Sequence, residues 1–595
     1  MMKGRQIPGC VALLLLGAVS FVLGAGPGAV ADAVMEGDTA ALRLLLQQKA
    51  DVNAPQVDGA TALHWAVYRD DLETANLLTR AGANARAANR EGVTPLAMAS
   101  LYGNAAMMGT LLKAGADPKE RGPGGETMLM YAARNGNPDA IKVLLVAGAD
   151  VNATENLRGT TALMWAAEQK HPHAVHALLD GGADFRARSG PAGLPRNYMA
   201  MRVLAGNVEA ARKRRLAAAA AGRTYQEQLE FERANGVATG GRGFTPGPGQ
   251  RGAPGAGVEP APDPDDEVIV AGLVGSGGGG LTALVFAARE GDPESAKLLL
   301  DAGADVNQTT EYGWTPLLTA TNNRHYKLAT NLILRGADVN IANKGGWTPL
   351  YLATDNRNIE GGDYPVPTAD MDHLDFIKVL LDRGANPNDR IKDDTLGRTI
   401  FTMQWFFESG ATPFVRAAQS SDIDLMQLLL KYGADPKMPT DYNDTALTAA
   451  AGIGWVEGVT YERSAKDNVD AVRMLLNLGL DPNAANNDGR TPLMGAALKG
   501  RNEVVQLLVD RGGRLETRDK GSRDTDTVVS ALAGHTWQAV DYADGLVRAG
   551  VQSAVARPET AALIRKLMTE RGMPVPPSDR TIESVCVVPI CDGQP

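Results

Sequence analysis

Residues 311–323 read EYGWTPLLTATNN, and residues 343–356 read NKGGWTPLYLATDN. The shared Gly-Trp-Thr-Pro-Leu occupies Gly313–Leu317 and Gly346–Leu350, a step of 33 residues. A fixed step of that size marks a repeat architecture, in which one short motif stacks on copies of itself. A second marker runs along the chain: an apolar stretch, then Gly-Ala-Asp or Gly-Ala-Asn. Its glycines are Gly82, Gly115, Gly148, Gly182, Gly303, Gly336, Gly384 and Gly433, with degenerate copies at Gly479 and Gly512. Each has a leucine four residues before it, from Leu78 to Leu508.

The unit Thr61–Gly92, TALHWAVYRDDLETANLLTRAGANARAANREG, shows how the period arises. Thr61 opens a short helix in which Ala62 and Ala66 permit close helix approach. A second helix, Leu72–Thr79, turns Leu77 and Leu78 inward. Gly82 suits the left-handed position after that helix, which strains other residues. A polar stretch then forms an extended finger leading to the next Thr-Pro-Leu, with proline in the first helical turn, where no amide partner is lost. This pattern resembles the ankyrin repeat, whose signature Thr-Pro-Leu-His-x-Ala is nearly matched by Thr61-Ala-Leu-His64-Trp-Ala66 and begun by Thr94, Thr315, Thr348 and Thr491. The resemblance implies an all-α solenoid of about twelve helix-turn-helix units with short β-hairpin fingers. It also implies that His64 bonds between neighbouring units, and that function is recognition of another protein. Each leucine buried between units stabilises by ~1.5–3 kcal/mol, so the stack is stable where one unit is not.

The predicted organisation has five parts. Residues 1–31 read as a secretory signal: Lys3 and Arg5, the apolar run Cys10–Ala25, then Ala29-Val30-Ala31 as a cleavage site. The alternative for that segment is an uncleaved anchor. Repeats follow over 32–189, about five, and over 279–573, about seven. Between them lies 190–278, read as an excursion from one finger tip: a helical stretch at Arg212–Arg233, then a Gly/Pro-rich stretch expected to be disordered. Residues 574–595 form a tail. Shorter insertions separate the two helices at about Glu360–Met371 and Gly454–Lys466, and another lengthens the finger after Gly384.

Charge and composition exclude several functions. The net charge of −10 becomes −12 without Lys3 and Arg5, which argues against a nucleic-acid partner. No segment beyond the N-terminal run could cross a membrane. Of three cysteines, Cys586 and Cys591 remain after the leader, and in an exported chain they suit a disulfide. The stretch Lys170–His176 holds His171, His173 and His176, but lacks a cysteine or carboxylate to complete a metal site. Gly275–Gly280 lacks the Lys-Ser/Thr ending of a phosphate loop. No nucleophile, base and orienting acid occur as a set, so no enzyme, cofactor or metal is expected.

The tryptophans carry the functional expectation. The residue between the finger glycine and Thr-Pro-Leu is Ala60, Val93, Glu126, Thr160, Leu281 or Arg490 in other units, so the fold does not demand Trp314 or Trp347 there. Tyr312 adjoins Trp314, Lys344 occupies the next finger tip, and the long third finger includes IFTMQWFF (400–407), with Trp405 and Phe406. If exposed, this cluster on three successive fingers would anchor a protein partner. Alternatively, the insertion folds back and covers both tryptophans. Trp65 and Trp165, inside first helices, read as packing residues. A ligand pocket where the two inter-helix insertions meet, or a purely mechanical spacer, are the competing functional readings.

Overall fold

In the computed structural model, residues 26, 28–190, 231–232, 234, 279–358, 367–392, 409–455, 461–520, 536–547 and 555–580 are described. Trp405, Phe406, Cys586 and Cys591 lie outside them, as do most of 190–278 and parts of the shorter insertions. The chain divides into two compact units, Met1–Val151 and Asn152–Pro595, and the division falls inside the block expected over 32–189. Among the described residues every regular element is a helix, and no strand forms.

Among its described residues the first unit holds four helix pairs. Their first helices are α1 (Ala29–Glu36), α3 (Ala62–Tyr68), α5 (Pro95–Tyr102) and α7 (Met128–Asn135); their second helices are α2 (Thr39–Gln47), α4 (Leu72–Arg80), α6 (Ala105–Lys113) and α8 (Pro138–Val146). The repeated threonine explains where the first helices start. Thr94 Oγ1 accepts from Ala97 N at 3.1 Å and Thr127 Oγ1 from Met130 N at 3.2 Å, each satisfying an amide left free at a helix N-terminus. The second helices are capped by Asp38, Asp71, Asn104 and Asn137. Leu42, Leu78, Leu111 and Leu144 each sit at 1% exposure or less in the interior between pairs.

His64 performs the bond expected of it. Nδ1 accepts from Thr61 N at 3.1 Å, so Nε2 carries the proton and donates to Val93 O at 3.0 Å in the next unit. Burial lowers its pKa, which keeps the imidazole in that neutral form. The expected cleavage site lies at the start of α1. Ala29-Val30-Ala31 opens α1, with Val30 and Ala31 buried, so a cut after Ala31 would strip packed residues from the first helix. Small apolar residues suit a helix interface as well as a cleavage site, and the sequence pattern does not separate the two.

Among its described residues the second unit continues the plan with eight pairs. Those needed below begin with α9 (Ala162–Glu168), α10 (Pro172–Asp180), α11 (Ala283–Glu290), α12 (Pro293–Asp301), α13 (Pro316–Asn322), α14 (Tyr326–Leu334), α15 (Pro349–Arg357) and α16 (His373–Asp382). They go on through α17 (Pro413–Gln419), α18 (Ile423–Lys431), α19 (Ala446–Ala451), α20 (Ala465–Asn477), α21 (Pro492–Lys499), α22 (Asn502–Asp510), α23 (Ala539–Ala543) and α24 (Pro558–Glu570). On either side of 190–278 the chain meets itself: Ser189 N donates to Leu281 O at 2.8 Å, and α9 packs directly on α11.

The fingers are turns, not the β-hairpins expected. They close through short backbone turns: Asn89 N donates to Val93 O at 3.0 Å while Asn89 O accepts from Gly92 N at 3.0 Å, and Thr310 N donates to Trp314 O at 2.9 Å while Thr310 O accepts from Gly313 N at 3.0 Å. Among the described residues only three isolated antiparallel bridges occur, at Arg121–Thr127, Thr154–Thr161 and Arg518–Gln538. A finger glycine with φ near +80°, such as Gly313 or Gly346, makes the tight reversal at the tip. Successive fingers are instead stitched by single bonds, Lys344 N to Tyr312 O at 3.0 Å and Lys392 N to Gly345 O at 2.8 Å. On the outer side, an asparagine recurs as a tie between units. Asn307 Nδ2 donates to Gly336 O at 3.2 Å while its Oδ1 accepts from Asp338 N at 2.8 Å, and Asn53, Asn340, Asn388 and Asn483 make the same pair of bonds.

Candidate functional site

The finger aromatics are brought together but turned inward. Tyr312 is 6% exposed, Trp314 8% and Trp347 1%. Trp347 N is fixed by Asn343 Oδ1 at 3.0 Å, and its ring lies edge-on to Tyr351 at 4.8 Å between centroids. Trp314 N donates to Thr310 Oγ1 at 3.1 Å. These side chains therefore fill the angle between finger and first helix, and the exposed aromatic cluster expected on the fingers is not formed by them. Lys344 alone of the described anchors is exposed, its Nζ 5.9 Å above the Tyr312 ring. The same inward position is taken by Trp537, 3% exposed, whose N–H donates to Asp519 Oδ1 at 2.8 Å. Sequence reasoning missed it because its unit lacks the Gly-x-Thr-Pro frame.

The exposed apolar surface lies instead on the first unit, along the first helices. Met35, Tyr68 and Leu101 are 33 residues apart and are exposed by 37%, 61% and 45%. Beside them a second register, Trp65, Met98 and Tyr131, again at steps of 33, is partly buried. Trp65 and Tyr68 meet edge to face at 5.6 Å, and exposed Tyr102 extends the patch. Helical spacing places residues four and seven past the capping position on one face; α3 and α5 put an apolar pair there, whereas α1 pairs Met35 with Asp32 and α7 pairs Tyr131 with Arg134. Stacked helices lie about 8–10 Å apart, so the apolar face is centred on α3 and α5, with Met35 and Tyr131 at its two ends.

Polar bonds hold that face rigid. Trp65 Nε1 donates to Gln56 Oε1 at 2.6 Å, and Gln56 Nε2 donates to Asp32 Oδ1 at 2.6 Å. Arg69 reaches back to Met35 O at 3.1 Å. Burial, followed by the neighbouring Glu126 carboxylate, raises the pKa of the Tyr131 phenol, so the face carries no phenolate. Trp65, read from sequence as a packing residue, is thus half of an accessible aromatic pair. The signal that could have found it was the solvent-facing register 35, 68, 101.

The edge where the insertions occur carries buried charge. Asp422 bonds Arg357 Nε at 2.7 Å and Arg463 Nη2 at 2.8 Å, and Arg416 Nε bonds Asp355 at 2.8 Å. Glu462 lies between Lys499 at 2.7 Å and Arg501 at 2.6 Å. These pairs link the turns of successive units, and residues 359–366 and 456–460 beside them lie outside the described residues. Among the described residues no group of three His, Cys, Asp or Glu side chains is placed to hold a metal; His176 Nδ1 pairs with Asp180 at 2.8 Å.

Comparison with known proteins agrees with this geometry. The family described as "Ankyrin repeats (3 copies)" matches residues 30–122, 115–189, 284–391 and 462–519, and "Ankyrin repeat" matches 409–441. More than half of the chain is covered, and it belongs to the ankyrin-repeat family. It is similar to human Ankyrin repeat domain-containing protein 63, 32% identical over 149 residues, 24% of this chain and 35% of that one. It is also similar to Ankyrin repeat and KH domain-containing protein mask-1 of Caenorhabditis elegans, 24% identical over 268 residues, 45% of this chain and 8% of that one. A third relative is Ankyrin repeat, SAM and basic leucine zipper domain-containing protein 1 of Dasypus novemcinctus, 33% identical over 106 residues, covering 18% and 20%. The match thus spans only about a third or less of these relatives' lengths. Ankyrin repeats generally mediate protein–protein interaction, and proteins built from them are typically scaffolds.

Proposed function

We propose that this chain is a non-catalytic scaffold that binds a protein partner on the first-helix face of its first unit. The observation that carries the reading is the 33-residue register of exposed Met35, Tyr68 and Leu101 beside Trp65, Met98 and Tyr131. Isolated exposed apolar residues are ordinary, whereas a contiguous, braced aromatic patch favours recognition. The charged tips Arg90 and Glu91 supply specificity at the finger edge of the same unit. A photo-crosslinking residue at Tyr68, compared with one at exposed Leu334 in the second unit, tests this in the native cell. A discrete protein adduct from position 68 and none from 334 supports the reading; equal or absent adducts at both overturn it.

We also propose that the chain is exported. Lys3, Arg5 and the apolar run Cys10–Ala25 support it, with the cut placed upstream of Ala29 so that α1 stays whole. N-terminal sequencing of the purified protein checks this: a mature terminus before Ala29 is expected, and retention of Met1 would refute it. Among the described residues no helix is long and apolar enough to cross a membrane.

A further inference from the structure

Helix α10 turns Ala174, Val175, Ala177 and Leu178 into the interior. The same helical spacing leaves His173, His176 and Asp180 on one outward stripe, and all three are exposed. No carboxylate occurs within Lys170–His176, and the fold supplies one a turn further on: His176 Nδ1 lies 2.8 Å from Asp180 Oδ2.

That contact decides what the imidazole can do. A carboxylate only accepts, so Nδ1 carries the proton, and in the neutral ring Nε2 keeps its lone pair on the side away from Asp180. A carboxylate that holds one ring nitrogen while the other faces outward is the arrangement that orients histidines at metal centres. Side chains three apart on a helix have Cβ atoms about 5–6 Å apart, which lets two imidazoles reach one ion at metal–nitrogen distances of about 2.0–2.1 Å. Asp180 is occupied with Nδ1 and stands outside the inner shell, which is two imidazoles completed by solvent. The next helix pair does not oppose a cation there. Its α12 packs on α10, and Lys297, in the place of His176, is held by Asp301 at 2.7 Å, which also binds Arg335 at 2.8 Å. In the place of His173 it carries Glu294, an exposed carboxylate.

Imidazole suits borderline transition ions, whereas calcium and magnesium take oxygen donors, and affinity is greater for copper(II) than for zinc. We propose that His173 and His176 bind a divalent transition ion, copper(II) in preference to zinc, with Asp180 as the positioning residue for His176. The site lies in the second unit and does not depend on the Met35–Tyr131 face or on the partner that face would bind.

The test titrates the full-length chain, stripped of metal with EDTA, with Cu2+, Zn2+ and Mg2+ by isothermal titration calorimetry at neutral pH. Saturable binding of both transition ions is expected, copper the tighter, and none of magnesium. His173→Ala and His176→Ala should each weaken copper binding by about tenfold or more, since losing a ligand costs at least as much as losing its outer-shell partner. Both positions are exposed, and circular dichroism checks that helical content is kept. Asp180→Ala should weaken binding by about tenfold, while Asp180→Asn, whose amide oxygen still accepts from Nδ1, should recover part of that loss. His171→Ala, off the stripe, should leave binding unchanged. No saturable binding to the wild-type chain, magnesium bound as tightly as zinc, or copper affinity unaltered in either histidine variant would each overturn the site; unaltered affinity in Asp180→Ala would overturn the part given to that carboxylate.

Discussion

Replacing Trp347 with alanine separates a core tryptophan from a docking tryptophan. The side chain is 1% exposed and lies edge-on to Tyr351. A buried indole hides about 150–250 Å², worth ~4–6 kcal/mol at ~25 cal/mol/Å² as an upper bound, and the aromatic pair adds ~0.5–1.5 kcal/mol. Measured core replacements of this kind fall at ~3–5 kcal/mol, which we take as the expected loss. In a stack of repeats the loss is felt locally, so amide hydrogen exchange resolved along the chain is the suitable assay. Exchange in α15 and its neighbours should accelerate by about two to four orders of magnitude, at about tenfold per 1.4 kcal/mol, with the first unit unaffected. Trp347→Phe should lose less than half as much, because an aromatic edge remains. Were the ring a solvent-facing anchor, the change would stay within ~0.5 kcal/mol, and unaltered exchange in α15 would refute the packing argument.

Other outcomes follow from the same coordinates. Tyr68→Ala combined with Leu101→Ala should leave the urea midpoint nearly unchanged, since both side chains are exposed, yet abolish the adduct formed at this face. Asp422→Ala removes the buried carboxylate shared by the part-buried Arg357 and Arg463 and should destabilise by ~2–3 kcal/mol, read by chemical denaturation. Burial raises the Asp444 pKa to about 7, so the folded state holds a proton that the unfolded state releases from its ordinary value of 3.8 upward. That contribution is present in acid and lost as pH rises to 7; Asp444→Asn should flatten the slope over that range. Burial likewise depresses Lys499 to about 8 against 10.5 unfolded, so stability should rise as pH climbs from 8 to 10.5, and Lys499→Met should remove the rise.

The repeat step, the leucine ladder and the helix-opening threonines were legible because each is a local requirement: a capped amide, a filled interface, a left-handed glycine. His64 was legible for the same reason, having one geometry in which both ring nitrogens are satisfied. Side-chain direction in the fingers was not. Ala60, Val93 and Trp347 occupy equivalent positions, and sequence variety there looked like freedom from packing. Yet Ala60, Trp314 and Trp347 are all buried, so the variety there is not exposure. The Met35, Tyr68 and Leu101 face was hidden for the converse reason, because helix residues of that type usually pack, and only the register of solvent-facing positions distinguishes these. The turn network around Asp422 left no sequence signal, since its partners come from units 41 to 65 residues away.

The bonds that join Ser189 to Leu281 and Asp519 to Trp537 bring the chain back to its starting point across 190–278 and across 521–535. Where a finger is closed at its base in this way, the reading frame of the repeats is indifferent to how many residues were added at its apex. Such apices are natural ports for grafting: a reporter or recognition peptide spliced there would ride on the scaffold while the helices below keep their register.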